Sequence, residues 1–268
     1  LQKSFQRDLR YKTNKPFSND VEQSTRDLVM KQARRWSDRY RMMKKEGRSE
    51  SEILKSFSVP VNMRVFSWNR KGYVDTTMTP DDSIKYYKSI LRAGFMAIEP
   101  VTGHIKAYVG GPNYRYFKYD NVRQGKRQVG STVKPFLYTL AMENGFSPCD
   151  QVRHVEYTLI DENGKPWTPR NANRRRYGEM VTLKWGLAQS NNWISAYLMS
   201  KLSPQQFVDL LDNYGIKNPD IHPSMALCLG PCEISVGEMV SAYTTFVNHG
   251  IRSAPMFVTK IEDNEGNV

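Results

Sequence analysis

The hydrophobic positions change their period several times along the chain, and each change predicts a different secondary structure. Between residues 21 and 46, apolar residues recur at three- and four-residue steps among Arg and Lys, which predicts one amphipathic helix that ends at Gly47. We interpret this helix as packed on its own domain with a charged outer face; a basic helix laid on a membrane or on nucleic acid is the alternative. The predicted apolar stripe consists of Val21, Leu28, Ala33, Trp36, Tyr40 and Met43.

The next segment carries local start signals for a helix, a strand and a second helix. Ser and Glu at positions 49 to 52 form a capping-box pattern that predicts a short helix. Alternation of apolar and polar residues over 59–68 predicts a strand. Thr79-Pro80-Asp81-Asp82 predicts the start of another helix. We expect a domain boundary near residue 78.

The remainder of the chain predicts a hairpin followed mainly by helices. Two apolar strands over 94–100 and 104–111 flank the turn Val101-Thr102-Gly103. The long polar segment 146–180 is typical of a site wall or a lid. Helices are predicted over 131–145, 181–198, 204–214 and 236–249, and a strand is predicted over 257–261.

Composition and charge narrow the function classes. The 268 residues carry a net charge of +12, which permits binding to nucleic acid or another polyanion. Because no zinc-finger, basic-zipper or RNA-binding motif accompanies this charge, we favour a solvated basic surface and expect no nucleic-acid partner. No apolar run is long enough to span a bilayer. Cys149, Cys228 and Cys232 allow either one disulfide or buried thiols, and their spacing is poor for zinc.

The first candidate for chemistry is an S-x-x-K pair, Ser131 and Lys134. A helix starting at Ser131 would bring both side chains to one face, one turn apart. A Lys in a dry pocket can lose its proton and act as the base for an adjacent hydroxyl. The start of the helix also offers a backbone N–H where an oxyanion would develop. By itself the pattern is also typical of an ordinary helix start with a solvated Lys.

The second candidate is an S-x-N element, Ser190 to Asn192. A second hydroxyl can relay a proton to a leaving amine, and an Asn amide can bind both a substrate carbonyl and the Lys. Because S-x-N also occurs at Ser67 to Asn69, the order and surroundings of the motif carry the argument. The four His residues lack a partner pattern, and we expect His104 to be a surface residue at a strand end.

With these flanking residues, the chain resembles the transpeptidase domain of class A penicillin-binding proteins. The resemblance covers about residues 80–268 in the order of the family, and S-x-x-K and S-x-N belong to the family's signature. It is carried by Ala97-Ile98-Glu99-Pro100, Gly110-Gly111, Arg127-Gln128-Val129-Gly130-Ser131-Thr132-Val133-Lys134-Pro135-Phe136, Val181-Thr182-Leu183, Leu187-Ala188-Gln189-Ser190-Asn191-Asn192 and Gly237-Glu238-Met239-Val240-Ser241-Ala242-Tyr243.

The resemblance implies an α/β (α+β) fold with an antiparallel sheet flanked by helices, and it implies no metal or organic cofactor. It implies that Ser131 attacks the D-Ala-D-Ala bond of a peptidoglycan stem peptide and that Lys134 takes its proton. Ser190 would pass a proton to the departing D-alanine, and Asn192 would position the substrate and the Lys. An amine on a neighbouring stem would then capture the acyl group, and β-lactams would acylate the same Ser.

Two departures from the family pattern shape the expected domain organisation. The third element, K-[ST]-G on an edge strand, is absent, so we expect the chain to stop before it. The glycosyltransferase domain and membrane anchor of class A enzymes are also absent. We therefore expect residues 1–78 to be the linker between the two domains and 79–268 to be an incomplete transpeptidase domain. The parent protein would be anchored in the inner membrane, with this domain in the periplasm among other cell-wall synthesis proteins.

Three alternatives to a D,D-transpeptidase remain open from the residues alone. A carboxypeptidase or β-lactamase of the same fold would need a water-activating group, and no Glu has a recognisable context for that role. A non-catalytic penicillin-binding module stays possible because K-[ST]-G is absent. A nucleic-acid binder rests on charge alone and predicts salt-sensitive retention on DNA.

Overall fold

The computed structural model describes residues 1–8, 10, 15–161, 163–172 and 174–268. The chain separates into two compact units that divide between residues 92 and 93, with 113–116 belonging to the first unit. The boundary expected near residue 78 falls earlier than this division. Arg34 and Asp81 explain the difference, because their bidentate pair at 2.7 and 2.8 Å ties the helix after residue 79 to the first unit. Positions 9 and 11–14 of the predicted linker lie outside the described residues.

Local capping signals account for the helices of the first unit. Ser49 and Glu52 form the predicted capping box, and Thr79 caps the helix that begins at Pro80. The hairpin strands pair antiparallel from Val61 with Met78 to Phe66 with Tyr73. The elements are α1 (Gln2–Arg7), α2 (Gln23–Trp36), α3 (Asp38–Lys45), α4 (Glu50–Ser56), β1 (Val61–Phe66), β2 (Tyr73–Met78) and α5 (Pro80–Lys88).

The single helix predicted over 21–46 is wrong, because the structure divides it at Ser37. The Ser37 backbone is extended, with φ −71° and ψ 149°, and its hydroxyl accepts from the Tyr40 N–H at 3.2 Å. Ser is a strong N-cap that competes with helix continuation. The residue therefore ends α2 and starts α3.

The first unit has a small core, to which the predicted apolar stripe contributes unevenly. Tyr40 packs with Ile53 and Phe57, which are 1% exposed. Leu28 and Trp36, by contrast, are 65% and 71% exposed. The predicted stripe is thus correct at Tyr40 and Met43, which belong to or pack against this core, and wrong at Leu28 and Trp36, which face solvent.

The second unit combines short antiparallel strand pairs with a helical core. The pairs are β3–β4, β5–β10, β6–β9 and β7–β8, and each sheet within the described residues has two strands. The elements are β3 (Phe95–Ile98), β4 (Ile105–Val109), β5 (Lys126–Gln128), a 3-10 turn (Gly130–Val133), α6 (Lys134–Glu143), β6 (Gln151–Arg153), β7 (Leu159–Ile160), β8 (Pro166–Trp167), β9 (Met180–Thr182), α7 (Leu183–Ala188), α8 (Asn192–Lys201), α9 (Pro204–Asn213), a second 3-10 turn (Met225–Leu229), β10 (Glu233–Ser235) and α10 (Val236–Val247).

The predicted hairpin forms, whereas the strand predicted over 257–261 does not. Gly103 in the hairpin turn has φ +74°, and a Cβ there would lie 2.2 Å from the Ala254 carbonyl oxygen. Instead, Met256, just before this segment, forms an isolated parallel bridge with His104 beside β4. Phe257 is 52% exposed, and without a partner strand the apolar pattern of this segment is not sufficient to form a sheet.

Helix α6 lies at the centre of the second unit. Phe136 and Leu137 on α6 are fully buried and share one core with Leu198 of α8 and Phe207 of α9. Burial of this kind, at roughly 25 cal/mol per Å² of apolar surface, holds the first turn of α6 in place. None of the helices in the described ranges is long and apolar enough to cross a bilayer.

Candidate active site

Ser131 lies on a 3-10 turn, one turn before the α-helix that was expected to start there. The first residue of this turn is Gly130, whose N–H donates to the Gly230 carbonyl at 2.9 Å. Gly230 has φ +67°, and a Cβ there would lie 2.3 Å from the Gly130 oxygen. This close approach requires glycine. Ser131 itself is exposed to solvent, and α6 begins at Lys134.

Lys134 is almost completely buried, with an exposed fraction of 1%, which is rare for a Lys side chain. Its ammonium makes three hydrogen bonds: 2.6 Å to the Ser190 carbonyl, 3.2 Å to the Ser190 hydroxyl and 2.6 Å to Asn192 Oδ1. None of the three goes to Ser131. The structure therefore joins three of the four predicted site residues, Lys134, Ser190 and Asn192, by hydrogen bonds, while Ser131 lies one turn earlier in the chain and is not hydrogen-bonded to Lys134.

Ser190 occupies the turn between α7 and α8 in a left-handed conformation. Its N–H bonds the Leu187 carbonyl, and the next N–H, of Asn191, bonds the Gly186 carbonyl, both at 2.9 Å. These two bonds form a Schellman motif, in which the left-handed position usually holds Gly. Ser190 adopts φ +49° there, at a cost of order 1 kcal/mol or more. The helix predicted over 181–198 is divided at this point, which turns the Ser190 carbonyl toward Lys134.

Asn192 is held by the long polar segment predicted to form a site wall. Its backbone N–H donates to Asn171 Oδ1 at 3.0 Å, and its side-chain Nδ2 donates to the Arg170 carbonyl at 2.6 Å. The Trp193 indole N–H donates to the Pro169 carbonyl at 2.9 Å. Because Nδ2 is occupied in this way, Oδ1 of Asn192 is the atom presented to Lys134.

The protonation of Lys134 follows from its surroundings. Burial lowers the pKa of Lys134 from the usual 10.5 to about 8, because a desolvated ammonium is costly. Burial also raises the pKa of the neighbouring Cys228 thiol to about 12, so this thiol carries no charge near neutral pH. No carboxylate among the described residues offsets the Lys134 charge. The amine is thus poised to lose its proton close to neutral pH.

When Lys134 is neutral, the hydrogen-bond donors and acceptors around it can be assigned. An amine has two N–H donors and one lone pair. The Ser190 carbonyl and Asn192 Oδ1 can only accept, so they take the two donors. The lone pair then faces the Ser190 hydroxyl, the only one of the three partners that can donate. The arrangement is suited to passing a proton between Ser190 and Lys134.

Sequence reasoning missed His154, which lies directly behind the S-x-N turn. His154 is fully buried, and its Nε2 is 2.7 Å from Asn191 Nδ2. Its ring packs edge-on or tilted against Trp185 and Trp193 at centroid distances of 5.2 and 5.1 Å. His154 and Asn191 are 37 residues apart in the chain, so no local sequence pattern could have indicated their contact. In the described part of the chain, no group of His, Cys, Asp or Glu is arranged to hold a metal ion.

Comparison with known families matches residues 93–268 to the penicillin binding protein transpeptidase domain and residues 12–91 to the penicillin-binding protein middle domain. The chain belongs to the penicillin-binding proteins. The first match covers more than half of the chain and includes the Ser131 turn, Lys134 and the S-x-N turn. The fold class expected from the sequence is confirmed by this match and by the structural relatives.

Several individual relatives are similar to this penicillin-binding protein chain. Penicillin-binding protein 2D of Bacillus subtilis is 33% identical over 181 residues, which cover 67% of this chain and 26% of the relative. Penicillin-binding protein 1A of Aquifex aeolicus is 31% identical over 179 residues, covering 66% and 24%. The crystal structure of penicillin-binding protein 1A from Haemophilus influenzae aligns with a TM-score of 0.62 and 31% identity, covering 66% of this chain and 26% of that chain. The chain spans about a quarter of the length of these relatives.

Proposed function

We propose that this transpeptidase domain is a D,D-transpeptidase that cross-links peptidoglycan stem peptides through an acyl-enzyme on Ser131. The observation that carries the proposal is the buried Lys134, bonded to Ser190 and Asn192, with a pKa lowered to about 8. A neutral amine of this kind is a suitable base for a Ser hydroxyl. The family match to a transpeptidase domain supports the same reaction class.

In the proposed first half-reaction, Lys134 accepts one proton from Ser131 and then returns one to the leaving group through Ser190. Ser131 Oγ bonds to the carbonyl carbon between the two D-alanines, and its proton passes to the Lys134 amine. The C–N bond then breaks, and the departing amine of D-alanine receives a proton from the Ser190 hydroxyl, which recovers one from Lys134. Catalytic hydrogen bonds often tighten only in the substrate complex, so a Lys134 that is hydrogen-bonded to Ser190 and Asn192 and not to Ser131 before substrate binds is compatible with this role.

In the second half-reaction, the amine of a neighbouring stem peptide attacks the Ser131 ester. A new C–N amide bond forms as the C–O bond to Ser131 breaks, and the proton of the amine passes through Ser190 and Lys134 to the released Ser131 Oγ. Asn192 Oδ1 orients Lys134 throughout. A β-lactam presents a strained amide to the same Ser and would leave a stable ester. We further propose that the whole protein is anchored in the inner membrane, with this domain outside it in contact with peptidoglycan and other cell-wall synthesis proteins.

The experiment is intact mass spectrometry after incubation with benzylpenicillin. The wild-type chain is expected to gain the mass of one penicillin, while Ser131→Ala gains none. Ser24→Ala, on the exposed first turn of α2, is the matched control and is expected to react like the wild type. Because the K-[ST]-G strand is absent from these 268 residues, the same assay is run on a longer chain that contains it. An unmodified longer chain would rule out the proposal.

A stem-peptide donor ending in D-Ala-D-Ala, supplied with and without a stem-peptide amine, separates the alternatives in the longer chain. Release of D-alanine with formation of a new amide to the added amine supports transpeptidation. Release of D-alanine with only the hydrolysed peptide as product, or rapid loss of the penicillin adduct to water, supports a carboxypeptidase or β-lactamase. A chain that is acylated by penicillin but releases no D-alanine supports a penicillin-binding module without turnover.

A further inference from the structure

His154 is a buried imidazole whose contacts all lie behind the proposed active site. It follows β6, and its backbone N–H donates to the Glu179 carbonyl at 2.8 Å. The side chain is fully buried between the indoles of Trp185 and Trp193. Among the described residues, its side-chain hydrogen bonds and ring contacts go to Asn171, Asn191, Trp185 and Trp193 and not to Lys134, so its influence on the site passes through these partners.

The orientation of Asn191 determines the first of these hydrogen bonds. Asn191 Oδ1 accepts from the backbone N–H groups of Trp193 and Ile194, at 3.0 and 3.1 Å. Backbone N–H groups can only donate, so this atom must be the oxygen. The Asn191 amide nitrogen therefore faces His154 Nε2 at 2.7 Å, and Nε2 must accept.

Asn171 approaches the same ring nitrogen from the site wall. Its Oδ1 accepts from the Asn192 backbone N–H at 3.0 Å, which identifies that atom as the oxygen. Its amide nitrogen then lies 3.4 Å from His154 Nε2. Two amides from two different segments thus converge on one acceptor, and the proton of the neutral ring is on Nδ1.

The other ring nitrogen, Nδ1, indicates that filling space between the two indoles is not the reason why position 154 holds a His. His154 Nδ1 is buried and has no hydrogen-bond partner in the part of the chain that the structure describes. An unpaired buried donor is unfavourable, and a Phe ring would fill the same space without it. The acceptor at Nε2 is the feature that a Phe cannot supply.

We propose that His154 is a positioning residue for Lys134, acting through the turn that carries the Lys134 acceptors. Asn191 lies between Ser190 and Asn192 and caps α8, so its anchoring to His154 restrains both neighbours. The left-handed backbone of Ser190 is unfavourable for a non-glycine residue and persists only where its surroundings hold it. His154 supplies that restraint, and it also ties the wall segment to the turn through Asn171.

Two substitutions separate the acceptor from the packing. His154→Phe keeps an aromatic ring between the two indoles and removes the acceptor. His154→Gln removes the ring, but its Oε1 can accept near the position of Nε2. His222→Phe, at an exposed loop position, is the matched control. Each variant is first checked for folding by thermal unfolding and near-ultraviolet circular dichroism.

The main measurement is the titration of Lys134, followed by NMR on its 13C-labelled Cε. His154→Phe is expected to lower the apparent pKa of Lys134 by about half a unit or more, because acceptors that stabilise the ammonium move away. It is also expected to slow acylation by penicillin about 10- to 100-fold, as misplacement of a catalytic group does. His154→Gln should restore both toward the wild type. A folded His154→Phe with an unchanged Lys134 titration and acylation rate would overturn the role.

A measurement on the wild type covers the case in which His154→Phe does not fold. The long-range 1H–15N spectrum of His154 is expected to show a protonated Nδ1 and an unprotonated Nε2; the opposite tautomer would refute the hydrogen-bond assignment. The acylation rate rests on the proposed function, but the Lys134 titration does not. A wild type that is never acylated would thus count against the proposed function alone.

Discussion

The lowered pKa of Lys134 predicts a specific pH dependence for acylation. If the neutral amine is the base for Ser131, the second-order rate constant for acylation follows the neutral fraction of Lys134 in the free enzyme. With a pKa of about 8, roughly one-tenth of the amine is neutral at about pH 7 and nine-tenths at about pH 9. The rate constant is therefore expected to rise about tenfold between these two values and then level off.

The same shift predicts how folding stability depends on pH. The unfolded chain holds the Lys134 proton up to the usual pKa of 10.5, while the folded chain releases it near 8. Between these values the unfolded state binds more protons, so stability rises with pH. The full shift corresponds to roughly 3 kcal/mol. Lys134→Met removes this titration, and the difference between the two unfolding curves isolates it.

The pH dependence of acylation is measured with a fluorescent penicillin, and the reaction is followed by gel or stopped-flow fluorescence across the pH range. Lys134→Met should lose acylation by about 100-fold or more and show no rise with pH. Ser190→Ala should lower the rate without moving the midpoint far, because burial is the larger cause of the pKa shift. A wild-type midpoint near 10, or a rate that does not change with pH, would refute the assignment of Lys134 as the base.

Three further predictions concern the turns and thiols of the same unit. The free energy of unfolding of Ser190→Gly should exceed that of Ser190→Ala by about 1 kcal/mol, because only Gly adopts the left-handed backbone without strain. Both variants lack the hydroxyl and should be acylated equally slowly. Equal stability of the two in urea titrations would contradict the strain. Gly230→Ala should abolish acylation and lower the free energy of unfolding by about 2 kcal/mol or more, because its Cβ would meet the Gly130 carbonyl oxygen at 2.3 Å. Gly250→Ala is the control: a Cβ there meets no atom within 4 Å, and this variant should react normally in the penicillin assay. A thiol reagent should modify exposed Cys149 in the native state and spare buried Cys228, as peptide mapping would show; labelling of Cys228 before unfolding would argue against its burial.

Local sequence determined the starts of α4 and α5, the hairpin of β3 and β4, and the order of the motifs. The capping box at Ser49, the cap at Thr79 and the hairpin around Gly103 depend on interactions between residues only a few positions apart. Such short-range geometry can be predicted from spacing alone. The S-x-x-K and S-x-N motifs likewise predicted a shared site for Lys134 and the S-x-N turn, and the structure places them in hydrogen-bond contact.

Only the tertiary structure decided how those residues are held. Lys134 and Ser190 are 56 residues apart in the chain, and nothing in either local pattern predicts that the ammonium is buried with only uncharged partners. The left-handed Ser190 and the convergence of two amides on His154 also arise from packed segments distant in sequence. Burial and charge compensation depend on neighbours across the whole fold, which is why the motifs could nominate candidate residues but not predict their burial or the residues that hold them.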